Sequence, residues 1–104
     1  MTGEIKITEK QFESQVKDLA KIFHVDKYYH PFLSKWSAKG FPDLTIVKVP
    51  RLIYAELKSE KGVLSPEQAE WLELLKQCKT VEAYCWKPHQ IEEIVEVLRG
   101  GVID

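Results

Sequence analysis

Apolar residues recur at helical spacing near the start of the chain, where Phe12, Val16, Leu19, Ile22 and Phe23 form one stripe. Thr8 and Gln11 read as a capping box that opens this helix. Glu9 falls one turn before Phe12 and shares the side that faces inward, whereas Glu13 precedes Lys17 by one turn, the spacing of an ion pair on a solvated face. A strand is predicted from Lys27 to Phe32, followed by a basic loop from Ser34 to Gly40. Asp43 to Val49 and Leu52 to Lys58 then form a hairpin across Val49-Pro50-Arg51. Ser65-Pro66-Glu67-Gln68 opens a second helix, with proline at its first position and a second capping box, and this helix buries Trp71, Leu72 and Leu75. Val81 to Trp86 is the last strand, and Pro88 starts a final amphipathic helix through Ile91, Val95 and Leu98, ended by Gly100-Gly101. The order is α-β-β-β-α-β-α, an α/β pattern that closes naturally as a mixed sheet flanked by helices. With no linker, repeat or low-complexity stretch, one domain over 1–104 is expected.

Composition changes this picture little. The hydrophobic fraction of 44% and charged fraction of 30% are those expected of an ordinary soluble globular protein. No apolar run is long enough to span a membrane and the opening residues do not form a signal peptide, so a soluble, cytoplasmic protein is expected. The net charge of −1 runs against the basic character of many nucleic-acid binders, although a local patch is enough to hold phosphate. Cys78 and Cys85 lack metal-ligand spacing and are expected to be reduced, interior or half-buried residues. His24, His30 and His89 show no ligand spacing either, and His30, ending the first strand, is expected nearest to any site at that end.

The chemistry concentrates in the hairpin. Side chains alternate along a strand, so Glu56 and Lys58 project the same way while Leu57 points to the core. Charges on an otherwise apolar strand cost stability unless something uses them. The commonplace reading of Glu-x-Lys is a solvated face or a cross-strand ion pair. Asp43 changes the balance, because pairing of the two runs brings it to the same end of the sheet as Glu56. Two carboxylates there form a hard-oxygen site suited to Mg²⁺ or Mn²⁺, with a lysine beside it, which is apparatus for hydrolysing a phosphodiester.

Pro42-Asp43 followed by Glu56-Leu57-Lys58 resembles the PD-(D/E)xK signature of the restriction-endonuclease-like nucleases. Gly40-Phe-Pro-Asp-Leu44, Ala55-Glu-Leu-Lys58, Leu64-Ser-Pro-Glu-Gln-Ala-Glu-Trp-Leu72, Trp86-Lys-Pro-His89 and the opening Thr8-Glu-Lys-Gln-Phe12 with Gln15-Val16 are similar to the VRR-NUC branch of that superfamily, specifically its small stand-alone forms. The resemblance runs from about Thr8 to Leu98 and is specific as a set rather than in any one member.

It implies a restriction-endonuclease-like fold and a metal-dependent DNA endonuclease. Asp43, Glu56, the Leu57 carbonyl and Glu9 would hold the Mg²⁺ or Mn²⁺, with Lys58 and Gln68 completing the catalytic set. Glu9 has a competing role as a helix-dipole contact, and Gln68 as a capping residue. Lys35 and Lys39 precede Asp43 with Trp36 between them, and they and Lys61 are the expected DNA-phosphate contacts, with Lys35 standing where the family often has arginine. The resemblance further implies a homodimer acting on branched DNA such as four-way (Holliday) junctions, in replication, repair or recombination. The alternatives are a non-catalytic nuclease-fold DNA-binding module and a restriction-like endonuclease acting on unbranched DNA.

Overall fold

The computed structural model describes residues 6–31 and 38–100. Helix α1 (Glu9–Ile22) leads into three strands, β1 (Lys27–Tyr29), β2 (Leu44–Lys48) and β3 (Arg51–Leu57). Helix α2 (Pro66–Lys76), strand β4 (Val81–Trp86) and helix α3 (Ile91–Arg99) complete the expected order, α3 being preceded by a short 3₁₀ turn at Pro88–Gln90. The sheet runs β1-β2-β3-β4, antiparallel except for the parallel β3–β4 pair, which α2 crosses over to connect. This is a mixed sheet flanked by helices in a restriction-endonuclease-like arrangement. Among the described residues no helix is long and apolar enough to cross a membrane.

Period-two alternation decides what each face of the sheet carries. Leu44, Ile46, Ile53, Ala55 and Leu57 point to the side covered by α1 and α3, where they join Phe12, Val16, Trp86, Ile94 and Leu98 in the core. The intervening β3 positions, Tyr54 and Glu56, turn to the other face, where α2 lies. There Phe41 meets Trp71 and Tyr54 edge-on, with ring centroids 5.1 Å and 5.9 Å apart. Both predicted capping boxes form, on Thr8 and on Ser65.

Several expectations are corrected. The first strand stops at Tyr29; His30 and Pro31 continue as loop, and Phe32 lies outside the described residues. Ile22 is 61% exposed, because it ends α1 where the core has already closed, and the small Ala20 takes the inward position. In α2 only Leu72 is fully buried; Trp71 and Leu75 are half-covered. Ile94, rather than Ile91 or Val95, is the second buried anchor of α3. Gly100 does not form a left-handed cap, since its φ of −64° is that of ordinary backbone. The carbonyls at the end of α3 are held instead by long side chains. Arg51 donates to the carbonyls of Val97 and Gly100 while forking onto Glu82 at 2.6 and 2.7 Å, and Lys48 reaches those of Leu98 and Arg99. Cys78 is exposed, Cys85 is half-buried, and both are free thiols.

Candidate active site

The hairpin register determines the site. Leu44 pairs with Ala55, so the next step outward brings Asp43 across from Glu56 on the same face. Asp43 Oδ2 accepts the Leu57 N–H at 2.8 Å, which ties the aspartate to the middle of the Glu-x-Lys motif. Glu56 is 3% exposed, the one charged residue among the described residues buried to that degree. Its Oε2 accepts from Gln68 Nε2 at 3.0 Å and lies 3.9 Å from Lys58 Nζ. Its Oε1 is buried with no hydrogen-bond partner among the described residues.

Burial first, and the charge of Asp43 second, push the Glu56 carboxyl up to about 8; Lys58 opposes this without cancelling it. The like-charged pair and the unpartnered Oε1 have one physical meaning. A positive species belongs between these carboxylates, either a proton shared by Glu56 and Asp43 or a cation held by both. Among the described residues no three His, Cys, Asp or Glu side chains gather closely enough for a metal cage, so a cation here would rely on two carboxylates with backbone or water oxygens. Such sparse oxygen ligation is what Mg²⁺ accepts.

Gln68 settles the competition expected for it, because its two amide atoms serve separate roles. Oε1 accepts the Ser65 N–H at 2.9 Å in the capping box, which turns Nε2 outward to Glu56. The cap therefore orients the amide that steadies the buried carboxylate. Lys58 is held at both ends of its residue. Its backbone N–H donates to the Trp86 carbonyl at 3.0 Å, and Gly62 closes over the aliphatic stem so tightly that a Cβ there would sit 3.2 Å from it.

The remaining expected residues spread outward from this centre. Glu9 is exposed in the first turn of α1. Lys39 is exposed and 3.6 Å from Glu67, and its carbonyl accepts from Trp71 Nε1 at 3.1 Å. Lys61 is exposed in the turn after Lys58. Lys35 and Trp36 lie outside the described residues. His30 is exposed beyond the end of β1, His24 is exposed after α1, and His89 is exposed with its ring 2.7 Å from Glu60.

Sequence reasoning missed two residues beside the pair. Glu13 does not lie on a solvated face with Lys17; its Oε2 accepts the Tyr28 hydroxyl at 2.5 Å, half-buried between α1 and β1. Burial, the hydrogen bond to Glu13 and the charge of Asp43 together keep that hydroxyl protonated well above the ordinary tyrosine range. The one available signal was that Glu13 follows Glu9 by a turn and so shares its face of α1.

The chain is thus an α/β domain with two carboxylates and a lysine gathered at one end of its sheet. The VRR-NUC domain family matches residues 12–97, so the chain belongs to the VRR-NUC family, whose domain is a nuclease-type module acting on DNA. A solved structure of a VRR_NUC domain protein is similar in fold, with a TM-score of 0.67 and 21% identity, covering 91% of this chain and 88% of the other. No curated protein matches the chain.

Proposed function

We propose that the chain is a divalent-metal-dependent DNA endonuclease of the PD-(D/E)xK type. The observation that carries this reading is the buried Glu56 carboxylate across from Asp43, with one oxygen unpartnered among the described residues and a lysine 3.9 Å from the other. Asp43, Glu56 and the Leu57 carbonyl would hold Mg²⁺ or Mn²⁺, with Glu9 joining directly or through water. A bound ion of this kind lowers the pKa of water and polarises a phosphate oxygen. Lys58, as an ammonium, would orient the attacking water and offset the charge that builds on the non-bridging oxygens, the water's proton passing to solvent. Gln68 keeps Glu56 from rotating out of position. In-line attack leaves a 5′-phosphate and a 3′-hydroxyl.

The substrate we propose is branched duplex DNA, four-way junctions foremost. A homodimer would present two sites related by a two-fold axis and cut two strands symmetrically. The whole chain would act as one such domain, in the cytoplasm. Lys39 and Lys61 flank the carboxylates as phosphate contacts, as Lys35 would.

Labelled four-way junction, flap and linear duplex DNA incubated with Mg²⁺ or Mn²⁺ test this directly, beside Asp43→Asn. That variant removes the charge but keeps an oxygen to accept the Leu57 N–H, so its fold should survive. Junction cleavage that disappears in the variant is expected. Preference for linear duplex would move the protein to the restriction-like alternative, and binding without cleavage of any substrate would make it a non-catalytic module. Lys58→Ala should lower turnover by about a hundredfold while leaving metal affinity near wild type. A collapse of metal affinity in calorimetry would refute the role given to this lysine.

A further inference from the structure

Positive charge is unevenly distributed on this nearly neutral chain. The outer faces of α2 and α3 are acidic, carrying exposed Glu70 and Glu73 and exposed Glu92, Glu93 and Glu96. Exposed Lys10, Lys17 and Lys21 follow one another along a single side of α1, at spacings of seven and four residues. Helical geometry puts that side next to Glu9 and Glu13, on the flank turned towards β1. At its far end Lys17 and Lys21 line a surface hollow together with His24, Asp26, Lys27 and Tyr28. Tyr28 lines the hollow, and its hydroxyl meets Glu13 and feels the charge of Asp43.

These cations are not committed to neutralising the protein itself. The ion pairs among the described residues involve Lys39, Arg51, Lys58, His89 and Arg99, and none involves Lys10, Lys17, Lys21 or Lys27. Of the nearby acids, Asp26 is engaged with the Val49 N–H at 2.8 Å, and Asp18 lies further round α1. Three lysines along roughly 16 Å of helix, with Lys27 of β1 beyond them, suit a regular polyanion better than a compact anion, since a duplex carries phosphates every few ångströms along its axis.

We infer that the lysine row Lys10, Lys17 and Lys21 on α1, with Lys27 from β1, is a phosphate-binding track for the DNA backbone, leading away from the carboxylates past Tyr28. The track rests on the reading of this chain as a DNA-acting protein, but it does not need the carboxylates to be catalytic. It also accounts for a net charge that is not basic. A backbone lying along α1 avoids the acidic faces of α2 and α3, so the local field rather than the total governs docking.

Binding of labelled linear duplex, measured by fluorescence anisotropy in EDTA across a salt series, separates the possibilities. Lys17→Ala/Lys21→Ala removes two exposed charges and adds the best helix former, so the fold should hold, as thermal melts would verify. Loss of two phosphate contacts should make the slope of log K against log salt shallower by about 1.8 and weaken binding about tenfold or more at low salt. Lys76→Ala/Lys79→Ala, away from the track, should change neither. A slope in the α1 variant equal to wild type would overturn the track, assigning the row to some other anionic partner, and would leave the nuclease reading standing. A wild-type protein that binds no DNA would overturn both. Binding with the predicted change of slope, alongside failure to cleave any substrate, would support the track while refuting the catalytic reading.

Discussion

Glu56→Gln is expected to abolish cleavage and, in the metal-free protein above neutral pH, to raise stability. Both effects come from one buried carboxylate. In the wild type Glu56 is held beside Asp43 with Oε1 unpartnered, and burial and the neighbouring charge raise its pKa from 4.5 to about 8. The folded state thus holds this proton more tightly than the unfolded chain. The stability this contributes is fully present below about pH 4.5 and is lost as pH rises through about 8. Urea melts in EDTA should show the wild type losing on the order of 3 kcal/mol across that window. The glutamine has the same shape, no charge to desolvate and an amide proton to offer Asp43, so its profile should lack that loss. Adding Mg²⁺ should rescue the wild type at pH 8 and leave the variant unmoved, because the metal and the proton compete for the same carboxylate. Cleavage should fall by on the order of a thousandfold or more, since the variant cannot hold the ion. Parallel pH profiles for the two proteins would show that the pair is not strained by its charge, and the argument for a cation at that position would fail.

The parts of this site that were legible in the sequence are those set by local rules. A hairpin across Val49-Pro50-Arg51 and the period of two were enough to bring Asp43 to the same end of the sheet as Glu56. The structure tightens the turn to Val49-Pro50, with Lys48 paired to Arg51, which sets Asp43 level with Glu56. Ser65-x-x-Gln68 and Thr8-x-x-Gln11 announced both capping boxes because each involves neighbours on one turn. Contacts between distant elements left no such trace. Glu13 four residues before Lys17 looks like a surface pair, and only the placement of Tyr28, fifteen residues on, turns it inward. Arg51 and Lys48 carry no mark in the sequence of their role, yet they hold the end of α3 roughly fifty residues away. Gln68 was legible as a cap and as a site residue separately. That one amide does both follows from the direction in which Ser65 turns it, which is a matter of geometry rather than spacing.

Gly40→Ala is expected to be the most damaging substitution outside the charged residues. Gly40 has φ +85°, and a Cβ on it would lie 2.6 Å from the backbone carbon of Glu67 and 2.7 Å from its oxygen. The clash is with helix backbone in the first turn of α2, so no side chain can swing aside to relieve it. Left-handed strain and overpacking together should cost about 2–4 kcal/mol. The damage should reach the site as well. The loop at Gly40 is fastened to α2 by the Lys39 carbonyl on Trp71 and by Phe41 against the same ring, and it delivers Asp43 two residues beyond Phe41. The same helix fixes Glu56 through Gln68, so α2 sets both carboxylates, and lifting the loop should move one relative to the other. At low temperature, where the variant is still folded by circular dichroism, Mg²⁺ affinity by calorimetry should therefore drop along with cleavage. Gly62→Ala supplies the contrast. Its nearest contacts are the Lys58 side chain at 3.2 Å and a backbone nitrogen at 3.3 Å, and its φ is not left-handed, so a shift of a few tenths of an ångström accommodates the methyl group. That variant should stay within about 1 kcal/mol of wild type and keep its metal affinity. If both glycine variants lose stability equally, the contact with α2 is not what seats the loop. If Gly40→Ala loses stability but binds Mg²⁺ as wild type does, Asp43 is held by its bond to the Leu57 N–H alone, and α2 positions only Glu56.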